Sequence, residues 1–238
     1  MKKIFLINLT VLLTMVFVMS ACKKDYIEGG IPENADLYKD STTYDVLKGN
    51  PMYDTLVQII DAAGLKDIVN KEGTTFFAPS DHAIFSYLNS RTIFVQDNYD
   101  INGHFGLDSL KYYLQNNVNG TKDSLLMYMV NKPLTYSVLT SNGALYPSML
   151  SGDTVLISFE ETTDEELGYT NLVSQAPHVV YFTQLWYHYD LGPGNTASDV
   201  PDNIGVRNLV KTSGILTKNG VLNLLDNSNS LFFYDTKQ

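Results

Sequence analysis

Between Thr43 and Val130 the apolar residues recur mostly at helical spacing, whereas after Pro133 they gather in short β-rich runs. Helices first and strands later cannot supply the strand-helix-strand alternation of a parallel α/β sheet. The expected class is therefore α+β, with helices packed on a mainly antiparallel sheet. Helical spacing covers Tyr44 to Leu47, Met52 to Ala63 with Gly64 as a stop, Leu107 to Val118 and Lys122 to Val130. Thr74 to Ala78 is the early exception, a short strand, and Pro79-Ser80-Asp81 after it starts a helix carrying Ala83, Ile84, Tyr87 and Leu88. The later β-type runs are Tyr136 to Leu139, Asp153 to Phe159, Val179 to Tyr189, Leu209 to Lys211 and Val221 to Leu225. No linker, repeat or low-complexity break divides this stretch, so residues 41–238 are read as one domain.

With 238 residues, 44% of them hydrophobic, the chain can bury a sizeable core. A formal charge of −10 and only two arginines, Arg91 and Arg207, leave no basic footprint for nucleic acid. The single cysteine, Cys22, excludes an internal disulfide framework and a cysteine-rich zinc site.

The position of that cysteine is informative. Lys2 and Lys3 precede an apolar run from Ile4 to Met19 and the small residues Ser20 and Ala21, the layout of an export signal over residues 1–21. Met19-Ser20-Ala21-Cys22 resembles the bacterial lipobox, which implies acylation of Cys22 and a membrane as its partner. The alternatives are an ordinary signal peptide and an uncleaved membrane helix; the apolar run is shorter than the about 20 residues a span needs. Loss of residues 1–21 removes two lysines and no acid, taking the formal charge from −10 to −12. Anionic lipid repels such a body, so the acyl chains must hold it. Residues 22–40, with Gly29, Gly30 and Pro32, read as a tether, whose root-mean-square reach is on the order of 20–25 Å. No aspartate directly follows Cys22, and by the same resemblance the expected site is the outer membrane, either face.

Thr74-Thr75-Phe76-Phe77-Ala78-Pro79-Ser80-Asp81-His82-Ala83-Ile84 resembles the first signature of the fasciclin-like domain. Pro79 ends the strand, and Asp81 or Ser80 caps the helix that follows. Asn50 to Leu65 resembles that family's opening helix, and Thr212 to Asp226 its second signature, with a turn at Asn219-Gly220. The resemblance extends to fasciclin-like lipoproteins of Bacteroidota and implies a non-enzymatic adhesion role. Two positions depart from the pattern. Tyr128-Met129 stands where adhesive members often carry tyrosine-histidine, and Asn223 where histidine is common. The stretch from about 160 to 208 is longer than the family core requires, leaving room for a function of its own.

Val179 to Asp190 is the densest chemical feature. As one strand it alternates, placing Phe182, Gln184, Trp186 and His188 on one face and Tyr181, Thr183, Leu185, Tyr187 and Tyr189 on the other. Such rings either fill a core or form a stacking platform for sugars, with Tyr181, Trp186, Tyr187, His188 and Tyr189 as ligand-binding candidates. Gly192-Pro193-Gly194-Asn195-Thr196-Ala197 mimics a dinucleotide fingerprint but precedes loop-like sequence. Asn98 to Gly103 fits half of a calcium loop, yet the twelfth position is Ser109, so it reads as a polar surface loop. The histidines His82, His104, His178 and His188 are scattered, and no hydrolase, metalloprotease or phosphate-loop motif occurs. No cofactor or metal is expected. Asp54-Thr55-Leu56, Asp108-Ser109-Leu110, Asp123-Ser124-Leu125 and Asp153-Thr154-Val155 resemble O-glycan acceptor motifs of exported Bacteroidota proteins, though capping explains the second and third equally well. The expectation is a non-enzymatic envelope lipoprotein that adheres to or recognises a protein or glycan partner, or alternatively an accessory glycan-binding subunit of a surface polysaccharide-uptake system.

Overall fold

The computed structural model describes residues 37–164, 176–229 and 231. The export signal, Cys22 and residues 22–36 of the tether lie outside the described residues. Helix α1 (Thr43–Lys48) begins at Thr42, whose hydroxyl accepts from the Asp45 N–H. A 3-10 turn at Pro51–Tyr53 leads into α2 (Asp54–Ala63), which stops at Gly64 in the left-handed region, φ 65°. On α2, Leu56, Ile59, Ile60 and Ala63 repeat at i, i+3, i+4 and i+7, and none is more than 3% exposed. Short α3 (Lys66–Val69) precedes strand β1 (Thr74–Ala78), all five residues of which are buried. Then come α4 (Asp81–Asn98), α5 (Leu107–Gln115) and α6 (Thr121–Ser124).

The strands that follow are β2 (Met129–Val130), β3 (Ala144–Pro147), β4 (Thr154–Glu161), β5 (His178–Leu185), β6 (Gly205–Leu216) and β7 (Gly220–Leu225). They form a sheet ordered β2-β1-β7-β6-β5-β4-β3. Only β1 and β7 run parallel, so the expectation of an α+β fold with a mainly antiparallel sheet holds. Strand β6 joins the halves: Gly205 to Leu209 pair with β5, and from Val210 onward the strand pairs with β7 through two register shifts. The main core lies between the helices and this sheet. At its centre Phe182 stacks on Phe77, with ring centroids 4.6 Å apart, and on Tyr128 at 5.9 Å.

Several elements depart from the sequence pattern. Helical spacing continued to Val130, but Met129 and Val130 pair with Phe76 and Thr75 of β1 instead. Tyr136 to Val138, expected as strand, forms a 3-10 turn. There the Tyr136 hydroxyl donates to the Ser213 carbonyl at 2.8 Å and the ring packs on Phe159. Edge strand β3 and the second half of α4 were not expected. Strand β5 stops at Leu185: the Trp186 N–H makes the last bond in the β5–β6 register, to the Ile204 carbonyl at 2.7 Å, and the Tyr187 N–H turns back to the same carbonyl at 3.4 Å.

Two buried tyrosines give the fold an alkaline limit. Burial, with the Asp61 carboxylate that accepts its hydrogen bond at 2.8 Å, pushes the Tyr44 hydroxyl up to about 12. Burial and the charge of Asp81 do the same for Tyr53, also to about 12. A group whose folded pKa is raised contributes stability that is complete below its unfolded value near 10. That contribution is lost between pH 10 and about 12, where the unfolded chain binds fewer protons than the folded one. Alkaline titration is therefore expected to show cooperative unfolding in that window, with Tyr44→Phe moving the midpoint upward. A flat stability profile through pH 12 contradicts this placement of the two hydroxyls.

Candidate functional site

The β4–β5 ladder ends at the Val155–Gln184 pair. The chain before Val155 and after Gln184 therefore parts into two walls. Between them lies an open cleft of about 320 Å³, with Ser151, Asp153 and Thr154 on one wall and Trp186, Tyr187 and His188 on the other. The first wall is a tight turn. The Ser148 hydroxyl donates to Asp153 Oδ2 at 2.7 Å and accepts from the Leu150 N–H at 3.1 Å. On the second wall Trp186 is half-buried, His188 is exposed and Tyr187 is 66% exposed. The rings offer stacking faces, and the serine, threonine, aspartate and histidine opposite and beside them offer hydrogen-bond partners.

The five ring candidates thus separate. Trp186, Tyr187 and His188 share the cleft. Tyr189 turns away into a second small core with Leu156, Leu185 and Ala197, and its hydroxyl donates to the Thr196 carbonyl at 3.1 Å. Tyr181 lies farther along β5 beneath the Arg207 guanidinium, 3.4 Å from its ring centroid. Arg207 in turn pairs with Glu160, which also accepts from the Ser158 hydroxyl. Burial raises the Tyr181 pKa, and the Arg207 charge opposes that shift. The alternation expected over Val179 to Tyr189 fails after Leu185, because the strand ends there. Sequence reasoning missed the Ser151–Thr154 wall. Its turn signal, Ser151-Gly152-Asp153, is visible, but its neighbour across the sheet is not.

The family-motif positions hold the framework. Pro79 separates β1 from α4, and it is the Ser80 hydroxyl that caps α4, accepting from the Ala83 N–H. Asp81 caps a different helix: its carboxylate accepts from the Thr55 and Leu56 N–H groups at the start of α2, both at 2.9 Å. Tyr128 is fully buried. The β6–β7 turn is centred on Lys218-Asn219, one residue earlier than the Asn219-Gly220 signal suggests, with the Thr217 N–H donating to the Gly220 carbonyl. Buried Asn219 accepts from the Thr43 N–H at 2.8 Å and donates to the Val69 carbonyl at 3.2 Å, fastening α1 and α3 to the turn. Gly220 is required by close approach, since a β-carbon there would lie 2.1 Å from the Thr74 carbonyl oxygen. Asn223 accepts from the Gly214 N–H at 2.8 Å across the irregular stretch of β6.

The remaining motifs resolve simply. Gly192 to Ala197 leads into a three-residue 3-10 turn capped by Thr196 and Asp199. The Thr196 side chain, then its backbone N–H, hold the Asp199 carboxyl below the usual range. In the Asn98–Gly103 loop the Asp100 carboxylate accepts from the Asn102 N–H at 3.0 Å. Among the described residues no group of three or more His, Cys, Asp or Glu side chains could hold a metal ion. Thr55, in the first of the glycan-acceptor-like motifs, is buried. No helix among the described residues is long and apolar enough to cross a membrane.

Helices leading into a sheet in which one parallel β1–β7 pair interrupts antiparallel pairing, with a strand-Pro-Ser-Asp-helix junction at its centre, define a fasciclin-type domain. A model of the Fasciclin domain matches residues 51–180, and the chain belongs to that family. The match ends before the Thr212–Asp226 segment that carries the second likeness. Among solved structures the chain is similar to a FAS1 domain pair from the insect cell adhesion molecule fasciclin I, at 16% identity and a TM-score of 0.41, over 76% of this chain and 45% of that one. The chain thus spans less than half of that structure's length. No curated protein matches it.

Proposed function

We propose that the protein is an envelope lipoprotein, anchored in the outer membrane by acyl chains on Cys22, whose fasciclin domain serves adhesion or recognition and not catalysis. The likeness of Met19-Ser20-Ala21-Cys22 to a lipobox supports the anchor, and family membership supports adhesion. The observation that carries the recognition reading is the cleft, with Trp186, Tyr187 and His188 facing Ser151, Asp153 and Thr154. Rings on one wall and hydroxyl and carboxylate groups on the other suit a sugar, which presents an apolar face and equatorial hydroxyls at once. Among the described residues lining the cleft Asp153 is the one carboxylate, and the Ser148 hydroxyl engages it. Glycoside hydrolysis needs two such groups flanking the bond. If the ligand is a polysaccharide, the same cleft fits an accessory subunit of a surface uptake system.

Binding of the detergent-solubilised full chain to a glycan array tests this reading. The expected result is a set of related hits that weaken at least tenfold in Tyr187→Ala, about 1.4 kcal/mol. No hit above background, or hits indifferent to Tyr187→Ala, removes the cleft from the account.

A further inference from the structure

The wall of the cleft that carries Asp153 is tied to both ends of the sheet. Strands β2 and β3 close the strand order at opposite ends, yet a Val130–Ser148 bridge joins β2 to the chain just after β3. The Met149 N–H donates to the Met129 carbonyl at 2.8 Å beside that bridge. Within the turn the Ser148 N–H donates to the Asp153 carbonyl at 3.0 Å, and the Asp153 N–H to the Leu150 carbonyl at 3.1 Å. The Ser148 hydroxyl then holds Asp153 Oδ2 at 2.7 Å. A carboxylate supported in this way keeps its place when a ligand enters.

The charge of the cleft has one sign. Among the described residues lining it there is one carboxylate and no Lys or Arg. Opposite stand Trp186 and Tyr187, and the faces of aromatic rings carry the negative side of their quadrupole. His188 beside them is charged only when protonated. Drawn as a cube, a cleft of about 320 Å³ is about 7 Å across, which is shorter than the Debye length of about 8 Å at physiological salt. An acid group that enters is therefore within reach of Asp153. Acids outside the cleft supply most of the formal charge of −10, but they act through more solvent and are screened more.

We infer that the cleft selects glycans by charge, taking neutral sugars and rejecting uronic acids, and that Asp153 sets this choice. The selection rests on the reading of the cleft as a glycan site. Neutral hydroxyls are served by the carboxylate, which accepts their hydrogen bonds more strongly than an uncharged group does. A uronate in the same place brings a second carboxylate toward the first. Among the described lining residues it meets no guanidinium or ammonium group in return.

Matched pairs of oligosaccharides, each neutral member beside its uronic-acid form of the same linkage, test this on the detergent-solubilised full chain. Binding is measured near pH 8, with EDTA to remove divalent cations that could bridge two carboxylates. The parent is expected to favour the neutral members about tenfold, the effect of 1.4 kcal/mol. Asp153→Asn, whose side-chain oxygen can still accept from the Ser148 hydroxyl, is expected to bring that ratio close to one. Asp67→Asn changes the net charge equally at an exposed place outside the cleft and should leave the ratio as it is in the parent. Acidic forms that the parent binds as tightly as their neutral partners overturn the inference and leave the cleft reading standing. So does a preference that Asp153→Asn leaves unchanged, or that Asp67→Asn also removes. Binding of no oligosaccharide of either kind, or binding indifferent to Tyr187→Ala, removes the glycan reading itself and the selection with it.

Discussion

Phe182→Ala is expected to lower the unfolding free energy by about 3–5 kcal/mol, the range for removing a fully buried aromatic ring. Phe182 has no solvent exposure and stacks on both Phe77 and Tyr128. It therefore links β5 to β1 and to the turn that ends at β2. Each aromatic pair adds about 0.5–1.5 kcal/mol beyond the area it buries. A domain of ordinary stability has about 5–15 kcal/mol in all, so the variant should unfold at far lower urea with an unchanged dependence on denaturant. Tyr112→Ala is the control. That ring is 59% exposed, and its loss should stay within about 0.5 kcal/mol. A loss below about 1 kcal/mol at Phe182 contradicts its place at the centre of the core.

Cys22→Ser carries the second large effect. Export should continue, since the charged and apolar parts of the signal remain, but attachment should be lost. Each buried methylene contributes about 0.8 kcal/mol, and stable anchoring takes more than one chain. On the proposed anchoring, the body left after cleavage before Cys22 carries a formal charge of −12 and has no electrostatic substitute for the acyl chains. Cell fractionation should move the protein from the membrane fraction to the soluble fraction. A Cys22→Ser protein that still sediments with membranes shows that something other than acyl chains on this residue holds it.

What could be read from the sequence follows the range of the forces involved. Thr74 to Ala78 and Gly64 were legible because the signals are local: an apolar run bounded by Gly73 and Pro79, and a glycine at the left-handed end of a helix. Met129 and Val130 were not. Their spacing continues a helix, and pairing with β1, more than fifty residues back, decides the matter. Asn219 was read for its backbone and acts through its side chain. Asp81 or Ser80 was read as the cap of the helix after β1; Ser80 takes that place, and Asp81 caps α2. The cleft was half legible. Trp186 to His188 stand out as a cluster of rings, but Asp153 faces them only because β4 and β5 pair and then part. Tyr181 and Tyr189 belong to the same run of sequence, yet they leave the cleft because the strand ends at Leu185.

The proposed recognition of a sugar at the Trp186 cleft can be read in intrinsic fluorescence. Trp186 is the single tryptophan of the chain, so the whole tryptophan signal reports this wall. Titration with oligosaccharides should produce a saturable change in emission that Tyr187→Ala weakens. An oligosaccharide that binds, as judged by calorimetry, with no change in Trp186 emission would contradict the account.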